Sequence, residues 1–239
     1  IFSCDGGSDP FVAALDKNTG DVAWRVDRKT DASSKFSFST PLVIPVGGKT
    51  QVISPGSGAV CAYDPEDGRE IWRVDYGEGY SVIPRPVFAH GLVYVCTGYG
   101  TPHLLAIRPD GNGDVTKTHV SWEQRRAVPH TSSPLVVGDD VYMVSDNGVA
   151  SCLDAKTGKQ HWQQRLSGGG GYSASLLYGD GKIYFQSETG VGNVIRASRQ
   201  FELLSTNTLG ERTLASYGVT QQSLLIRSAE HLYRIGKVN

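Results

Sequence analysis

The 239-residue sequence lacks any apolar run approaching the roughly 20 residues that a membrane-spanning helix needs. It also lacks a block of lysine and arginine longer than two residues, and its formal net charge is -1. A surface that binds nucleic acid needs concentrated positive charge. We therefore expect no membrane span in this chain and no nucleic-acid partner.

Cysteine is scarce, with four residues at Cys4, Cys61, Cys96 and Cys152, and no two of them form a C-x-x-C pair. Zinc sites are usually built from such closely spaced pairs, so the spacing argues against one. Isolated cysteines commonly behave as small buried apolar residues. We expect packing roles for them, with disulfides as the alternative.

Glycine is abundant, with 29 residues, and it marks the turns of an internal repeat. Residues 13–24 read AALDKNTGDVAW, residues 61–72 read CAYDPEDGREIW, and residues 151–162 read SCLDAKTGKQHW. In each copy an Asp is followed by Gly four residues later and by Trp eight residues later. The triples are Asp16, Gly20, Trp24; Asp64, Gly68, Trp72; and Asp154, Gly158, Trp162. We predict structural roles for these residues and for Trp122.

Short strand-like segments come in groups of four, separated by links too short for a helix. Neighbouring strands must then be antiparallel hairpins. The four-strand unit is predicted at residues 36–76, 80–127, 131–166 and 172–206, with incomplete units at 1–28 and 212–239. A four-stranded antiparallel unit repeating every ~40–50 residues is typical of a β-propeller blade.

The pattern A-x-D-x-x-T-G-x-x-x-W resembles the tryptophan-docking motif of the PQQ-like, quinoprotein-type β-propeller repeat family. The first copy matches fully, through Ala14, Asp16, Thr19, Gly20 and Trp24. The copy before Trp122 departs most, because Arg108 replaces the Asp and a six-residue insertion follows. The resemblance implies an all-β fold, one propeller domain over 1–239, and tryptophans docked between blades.

The number of blades is a separate expectation. The chain starts IFSCDGG, without Met or a basic leader, and we interpret it as a mature or truncated piece of a longer protein. Family rings have seven or eight blades, whereas this sequence supplies four complete and two partial ones. We therefore expect a truncated ring with about six blades visible. The alternative is a compact six-bladed ring.

Candidate chemistry is sparse. Quinoprotein dehydrogenases of this fold carry adjacent cysteines and a calcium beside the quinone PQQ, and the adjacent cysteines are missing here, so we expect no cofactor and no catalytic set. Asp110, Asn112 and Asp114 alternate oxygen ligands as a calcium loop does, but Ser121 stands where an EF-hand needs Glu, which favours a turn. His130 precedes Ser132 and Ser133 without an acidic partner or a G-x-S-x-G context.

The segments LDAKTGKQHWQQRL, ASLLYGDGKIYFQSETG and HLYRIG are similar to the BamB group of bacterial envelope proteins within this family. That resemblance implies a non-enzymatic scaffold in the periplasm, or outside the cell, that presents loops to a protein partner. Two alternatives stay open: a PQQ-dependent quinoprotein oxidoreductase, and a polysaccharide-binding propeller using the loop tyrosines Tyr80, Tyr99 and Tyr172.

Overall fold

The computed structural model describes residues 1–6, 8–100, 102–220 and 222–236. All regular secondary structure in these residues is β-strand, which confirms the all-β expectation. The chain divides into two compact units. The first unit is Ile1–His130 with Lys156–Gly158, and the second is Thr131–Ala155 with the described part of Lys159–Asn239. The assignment of one domain to the whole chain stays a prediction.

Three sheets, numbered 1 to 3, form the first unit. Sheet 1 contains β1 (Phe2–Cys4), β2 (Phe11–Leu15) and β3 (Val22–Asp27) in that order. Sheet 2 contains β4 (Leu42–Val46), β5 (Lys49–Pro55), β6 (Ala59–Tyr63) and β7 (Glu70–Asp75). Sheet 3 contains β8 (Val87–Ala89), β9 (Leu92–Cys96), β10 (Leu104–Ile107) and β12 (Val120–Gln124).

Three further sheets, numbered 4 to 6, form the described part of the second unit. Sheet 4 contains β13 (Leu135–Val137), β14 (Asp140–Val144), β15 (Val149–Asp154) and β16 (Gln160–Arg165). Sheet 5 contains β17 (Leu177–Gly179), β18 (Lys182–Gln186), β19 (Val191–Arg196) and β20 (Leu203–Thr208). Sheet 6 contains β21 (Gly218–Thr220), β22 (Ser223–Arg227) and β23 (Leu232–Gly236).

Three middle strands of sheets 2 and 3 are buried on both faces, so they lack the period-two alternation of a half-exposed sheet. Every residue of β6, β9 and β10 is buried. The outer strand β16 is mostly exposed. Sheets 2 and 3 cover these strands by packing against each other through a shared apolar core.

A β-bulge recurs where the last two strands of sheets 1 to 5 pair. Just before each bulge, a residue of the next-to-last strand lies opposite the position of the last strand that carries Trp in sheets 1 to 4. The pairs are Ala14 with Trp24, Ala62 with Trp72, Ala106 with Trp122, Cys152 with Trp162, and Val194 with Ser205. The residue opposite each Trp is therefore small.

Sheet 2 has a fifth strand that the sequence did not predict. The short strand β11 (Gly113–Asp114) lies in the insertion before Trp122 and pairs in parallel with Trp72 and Arg73 of β7. Its neighbour Val115 is buried, and the Val115 amide donates to the Arg73 carbonyl at 3.0 Å. A loop of sheet 3 thus covers the outer edge of sheet 2.

Candidate protein-interaction surface

The repeated aspartates organise the turns between the last two strands. Oδ1 of Asp16 accepts hydrogen bonds from the amides of Asn18 and Thr19, at 2.8 and 3.0 Å. These bonds hold the pKa of Asp16 below its usual value, because they stabilise the charged form. Asp64 repeats the arrangement by accepting from the amide of Glu66 at 3.1 Å.

Trp24 and Trp162 each pack against the next sheet of the same unit. Nε1 of Trp24 donates to the carbonyl of Pro65 in sheet 2 at 2.9 Å, and Nε1 of Trp162 donates to that of Ser198 in sheet 5 at 3.0 Å. Trp72 is fully buried, and its Nε1 donates instead to Oε1 of Gln51 at 2.9 Å. Docked indoles bury large areas and fix the spacing between sheets.

The repeated glycines receive these rings. Gly68 and Gly158 have φ of +76° and +71°. A Cβ on Gly68 would lie 2.5 Å from Cε3 of Trp24, and one on Gly158 would lie 2.6 Å from Cδ2 of Trp122. Gly20 has a φ of +82°, but a Cβ there would meet no atom within 4 Å. Gly68 and Gly158 therefore serve both the turn and the docking of a ring.

A row of five rings is the longest series of aromatic ring contacts among the described residues of the first unit. Consecutive ring centroids are 6.0, 5.4, 6.3 and 4.4 Å apart. The rings belong to Phe38, Phe36, Tyr80, Tyr99 and His130, in that order. Phe38 is 62% exposed, and Phe36 and Tyr99 are also exposed. We call this set the aromatic row.

The backbone beneath the aromatic row is held by hydrogen bonds between loops that are distant in sequence. Tyr80 and Tyr99 exchange two backbone hydrogen bonds, at 3.1 and 2.8 Å. The amide of Ser81 donates to the Phe36 carbonyl at 2.8 Å, and the amide of Phe38 donates to the Val82 carbonyl at 2.8 Å. Exposed rings on a rigid backbone lose little conformational entropy on binding, which favours a docking surface.

The structure brings together two of the three tyrosines that the sequence suggested for ligand contact, Tyr80 and Tyr99. Tyr172 is different and corrects that expectation, because it is buried, with its hydroxyl donating to the Ser167 carbonyl at 2.8 Å. Sequence analysis missed Phe36 and Phe38, although FSFST shows two aromatics at alternate positions directly before a strand. Tyr172 is therefore part of the packing of the second unit.

Of the sequence candidates near residue 130, His130 belongs to the first unit and Ser132 to the second. The ring of His130 stacks on Tyr99 with an interplanar angle of 15°. Ser132 is completely buried, and its Oγ has no hydrogen-bond partner. A buried hydroxyl without a base cannot attack a substrate from solvent.

The calcium-loop candidates lie in the insertion that forms β11. Oδ1 of Asp114 accepts from the amide of Thr116 at 2.9 Å, and Oδ1 of Asp110 lies 3.6 Å from Nε2 of His119. Asp110, Asn112 and Asp114 are all exposed. Their role in metal binding stays a prediction.

One three-residue cluster has metal-ligand chemistry. Ligand atoms of Asp140, Asp154 and His161 lie within 4.8 Å of one another. However, the guanidinium of Arg199 contacts both carboxylates, with Nε 2.9 Å from Asp140 and a terminal nitrogen 3.3 Å from Asp154. The cation that balances these acids is therefore supplied by the chain itself, and we assign no metal to them.

A charged cavity of about 680 Å³ lies beside Arg28 and Arg73 in the first unit. Arg28 forms a buried ion pair with Asp5 at 2.9 Å, and Arg73 pairs with Asp75 at 2.7 Å. Burial raises the pKa of Asp5 to about 6, an effect that Arg28 only partly offsets. The charged residues that line the cavity are three cations and three acids, so it shows no excess charge that would select a ligand: Arg28, Lys29, Arg73, Asp31, Asp75 and Glu78.

The four cysteines are free thiols. Cys61, Cys96 and Cys152 are buried as expected, whereas Cys4 is exposed, contrary to a packing role. Burial raises the pKa of Cys61 to about 11 and that of Cys152 to about 12. Both buried thiols therefore stay protonated near neutral pH.

Comparison with known families gives one family model, described as "Outer membrane protein assembly factor BamB", which matches residues 8–130 and 113–202. The BamB of Shewanella oneidensis is 25% identical over 94% of this chain and 55% of its own length. The BamB of Yersinia pestis is 28% identical over 66% of this chain and 39% of its own length. The chain thus spans about half the length, or less, of these curated relatives.

Solved structures show the fold. BamB from Moraxella catarrhalis matches 95% of this chain and 69% of its own, with a TM-score of 0.69 and 15% identity. A quinohemoprotein alcohol dehydrogenase from Comamonas testosteroni matches 98% of this chain and 44% of its own, with a TM-score of 0.63 and 15% identity. The β-propeller expectation is confirmed by these matches. Among the described residues, no helix is long and apolar enough to cross a membrane.

Proposed function

Because the chain belongs to the BamB family of outer membrane protein assembly factors, we propose that it is a non-enzymatic β-propeller scaffold of the bacterial envelope. In this proposal it binds a protein component of the machinery that assembles outer membrane proteins. In this proposal the protein acts in the periplasm. No cofactor is needed for this role.

The aromatic row is the observation that carries the proposal. Aromatic side chains are enriched at the centres of protein interfaces, where a few of them supply most of the binding energy. Here Phe38 and Tyr99 are exposed on loops that are already fixed by backbone hydrogen bonds. His130, the one imidazole of the row, is stacked on a ring. The surface therefore suits docking better than catalysis.

The test measures binding of this chain to purified outer-membrane assembly machinery from Shewanella oneidensis by surface plasmon resonance. Phe38→Ser is compared with Val22→Ser, because Phe38 and Val22 are similarly exposed, at 62% and 64%. We expect Phe38→Ser to weaken binding by about tenfold or more, as at an interface hot spot. Val22→Ser should change the affinity less than about twofold.

Two results would contradict the proposal. One is equal binding by wild type and Phe38→Ser, which would exclude the aromatic row as the interface. The other is stoichiometric PQQ absorbance after incubation with the quinone and calcium, which would favour the oxidoreductase alternative.

A further inference from the structure

Sheets 4 and 5 pack through a filled apolar core within the second unit. Sheet 4 contributes Tyr142, Val144, Ala150 and Cys152 to this core, together with Trp162. Sheet 5 contributes Ile183, Phe185 and Ile195, which are all at most 1% exposed. We use this core as the reference with which the contact between sheets 5 and 6 is compared.

The strand registers show which residues of sheets 5 and 6 occupy the positions that form the apolar core between sheets 4 and 5. In sheet 4, Cys152 pairs with Tyr142 on one side and with Trp162 on the other. In sheet 5, Val194 pairs in the same way with Tyr184 and with Ser205. Ser205 therefore occupies the position at which sheet 4 carries its docking tryptophan.

Sheet 6, which faces sheet 5, has residues at positions equivalent to those of sheet 5. Ile183 pairs with Ile195 in sheet 5, and Leu224 pairs with Ile235 in sheet 6. The register also places Ile226 where sheet 5 has Phe185. Whereas Ile195 is fully buried, Ile235 is 48% exposed. The surface that should cover Ile235 is thus incomplete.

Smaller or more polar side chains at these positions leave an opening. Ser205 replaces an indole, Gly192 stands where sheet 4 has Ala150, and Gln186 stands where it has Val144. The result is a cavity of about 420 Å³ lined by these residues together with Val194, Leu209, Tyr184, Tyr217, Leu224, Ile226 and Ile235, among others. That volume lies within the range of small-molecule sites, about 300–1,000 Å³.

The walls favour a flat apolar ring carrying one N–H donor. The rings of Tyr184 and Tyr217 lie edge to face, with centroids 6.2 Å apart. Gln186 is only 3% exposed, and its Oε1 accepts from the Tyr217 hydroxyl at 2.8 Å. A carbonyl oxygen can accept a second hydrogen bond. The chain already pairs an indole N–H with a buried glutamine oxygen, at Trp72 and Gln51.

We propose that this cavity binds a planar aromatic group of indole size. The group is either a free aromatic compound or the aromatic side chain of a bound polypeptide, because both offer the same ring to the same walls. The inference does not depend on the scaffold function. It also does not use the aromatic row, which lies in the first unit.

The test uses ¹⁹F NMR with 5-fluoroindole, which gives the only ¹⁹F signal because the protein itself contains no fluorine. We expect saturable binding to one site on the wild-type chain and none to Ser205→Trp, whose new side chain fills the cavity. Leu204→Trp is the matched control, since Leu204 lies on the same strand, is exposed and does not line the cavity. Thermal unfolding of each variant verifies that it is folded.

A second variant tests the orientation of the ring. Gln186→Leu should weaken 5-fluoroindole binding by about two- to tenfold, which corresponds to the loss of one hydrogen bond.

N-acetyl-5-fluorotryptophan amide distinguishes the two sources of the aromatic group. If it binds, the cavity accepts a polypeptide side chain. If only 5-fluoroindole binds, the cavity accepts a free aromatic compound. The absence of saturable binding to wild type, or equal binding by Ser205→Trp and Leu204→Trp, would overturn the proposal.

Discussion

Replacing the turn glycines by alanine separates the strain of a positive φ from the contact with a docked ring. Gly20 and Gly68 occupy the same position of the repeat and have similar φ values, +82° and +76°. A Cβ on Gly20 meets nothing within 4 Å, but one on Gly68 would lie 2.5 Å from Trp24. The pair therefore forms a matched comparison within one unit.

The expected losses of unfolding free energy follow from the strain of the positive φ and from the contact with the ring. A left-handed backbone costs a residue with a Cβ roughly 1–2 kcal/mol, and both variants bear that cost. Forcing an extra carbon into a packed contact costs about 1–3 kcal/mol more, and only Gly68→Ala bears it. We expect Gly20→Ala to lower the free energy of unfolding by about 1–2 kcal/mol and Gly68→Ala by about 2–5 kcal/mol.

Urea denaturation followed by far-UV circular dichroism and by tryptophan fluorescence measures both values, and coincident transitions verify that one free energy describes unfolding. In a Trp24→Ala background, the cost of Gly68→Ala should fall toward that of Gly20→Ala, because the opposing ring is gone and only the contact with Cγ2 of Val26, at 2.9 Å, is left. Equal costs for the two alanine variants in the wild-type background would refute the argument that the glycine accommodates the ring.

Three further predictions concern buried groups of the first unit. Because the pKa of Asp5 is raised to about 6, its contribution to stability is complete below about pH 4 and lost as the pH rises through 6. The free energy of unfolding of wild type minus that of Asp5→Asn should therefore fall by about 3 kcal/mol between pH 3 and pH 7; urea titrations showing a constant difference would contradict this. Trp72→Phe leaves the buried Gln51 oxygen without its donor and should cost about 1–3 kcal/mol in urea denaturation, whereas no loss would show that the bond is replaced. Val115→Ala should cost about 2 kcal/mol and increase hydrogen exchange in β7, and unchanged exchange would argue against a protecting role for β11.

Local patterns in the sequence predicted most of the strands, because each strand is short and bounded by residues that tolerate turns. The resemblance to the PQQ-like repeat family implied that tryptophans dock on a neighbouring sheet, as Trp24 and Trp162 do. The strands needed no knowledge of distant contacts, because each hairpin and its turn are adjacent in the sequence.

The features that escaped prediction depend on contacts between residues far apart in the chain. The Pro-Asp-Gly-Asn-Gly-Asp segment around Asn112 is typical of a turn, and nothing local shows that Gly113 pairs in parallel with Trp72. The aromatic row joins rings from separate loops. The absence of Trp after residue 172 was visible, but the cavity beside Ser205 also required Gln186 and Gly192 to share its face.

The parallel strand β11 has a consequence for the behaviour of this protein at high concentration. Outer strands expose unpaired backbone groups that can recruit strands from other molecules and start aggregation. β7 carries Ile71, Trp72 and Val74, so it would be an effective template if its edge were open. The two residues of β11 occupy that edge. A short loop insertion thus protects against self-association the same strand whose tryptophan is the most deeply buried in the repeat.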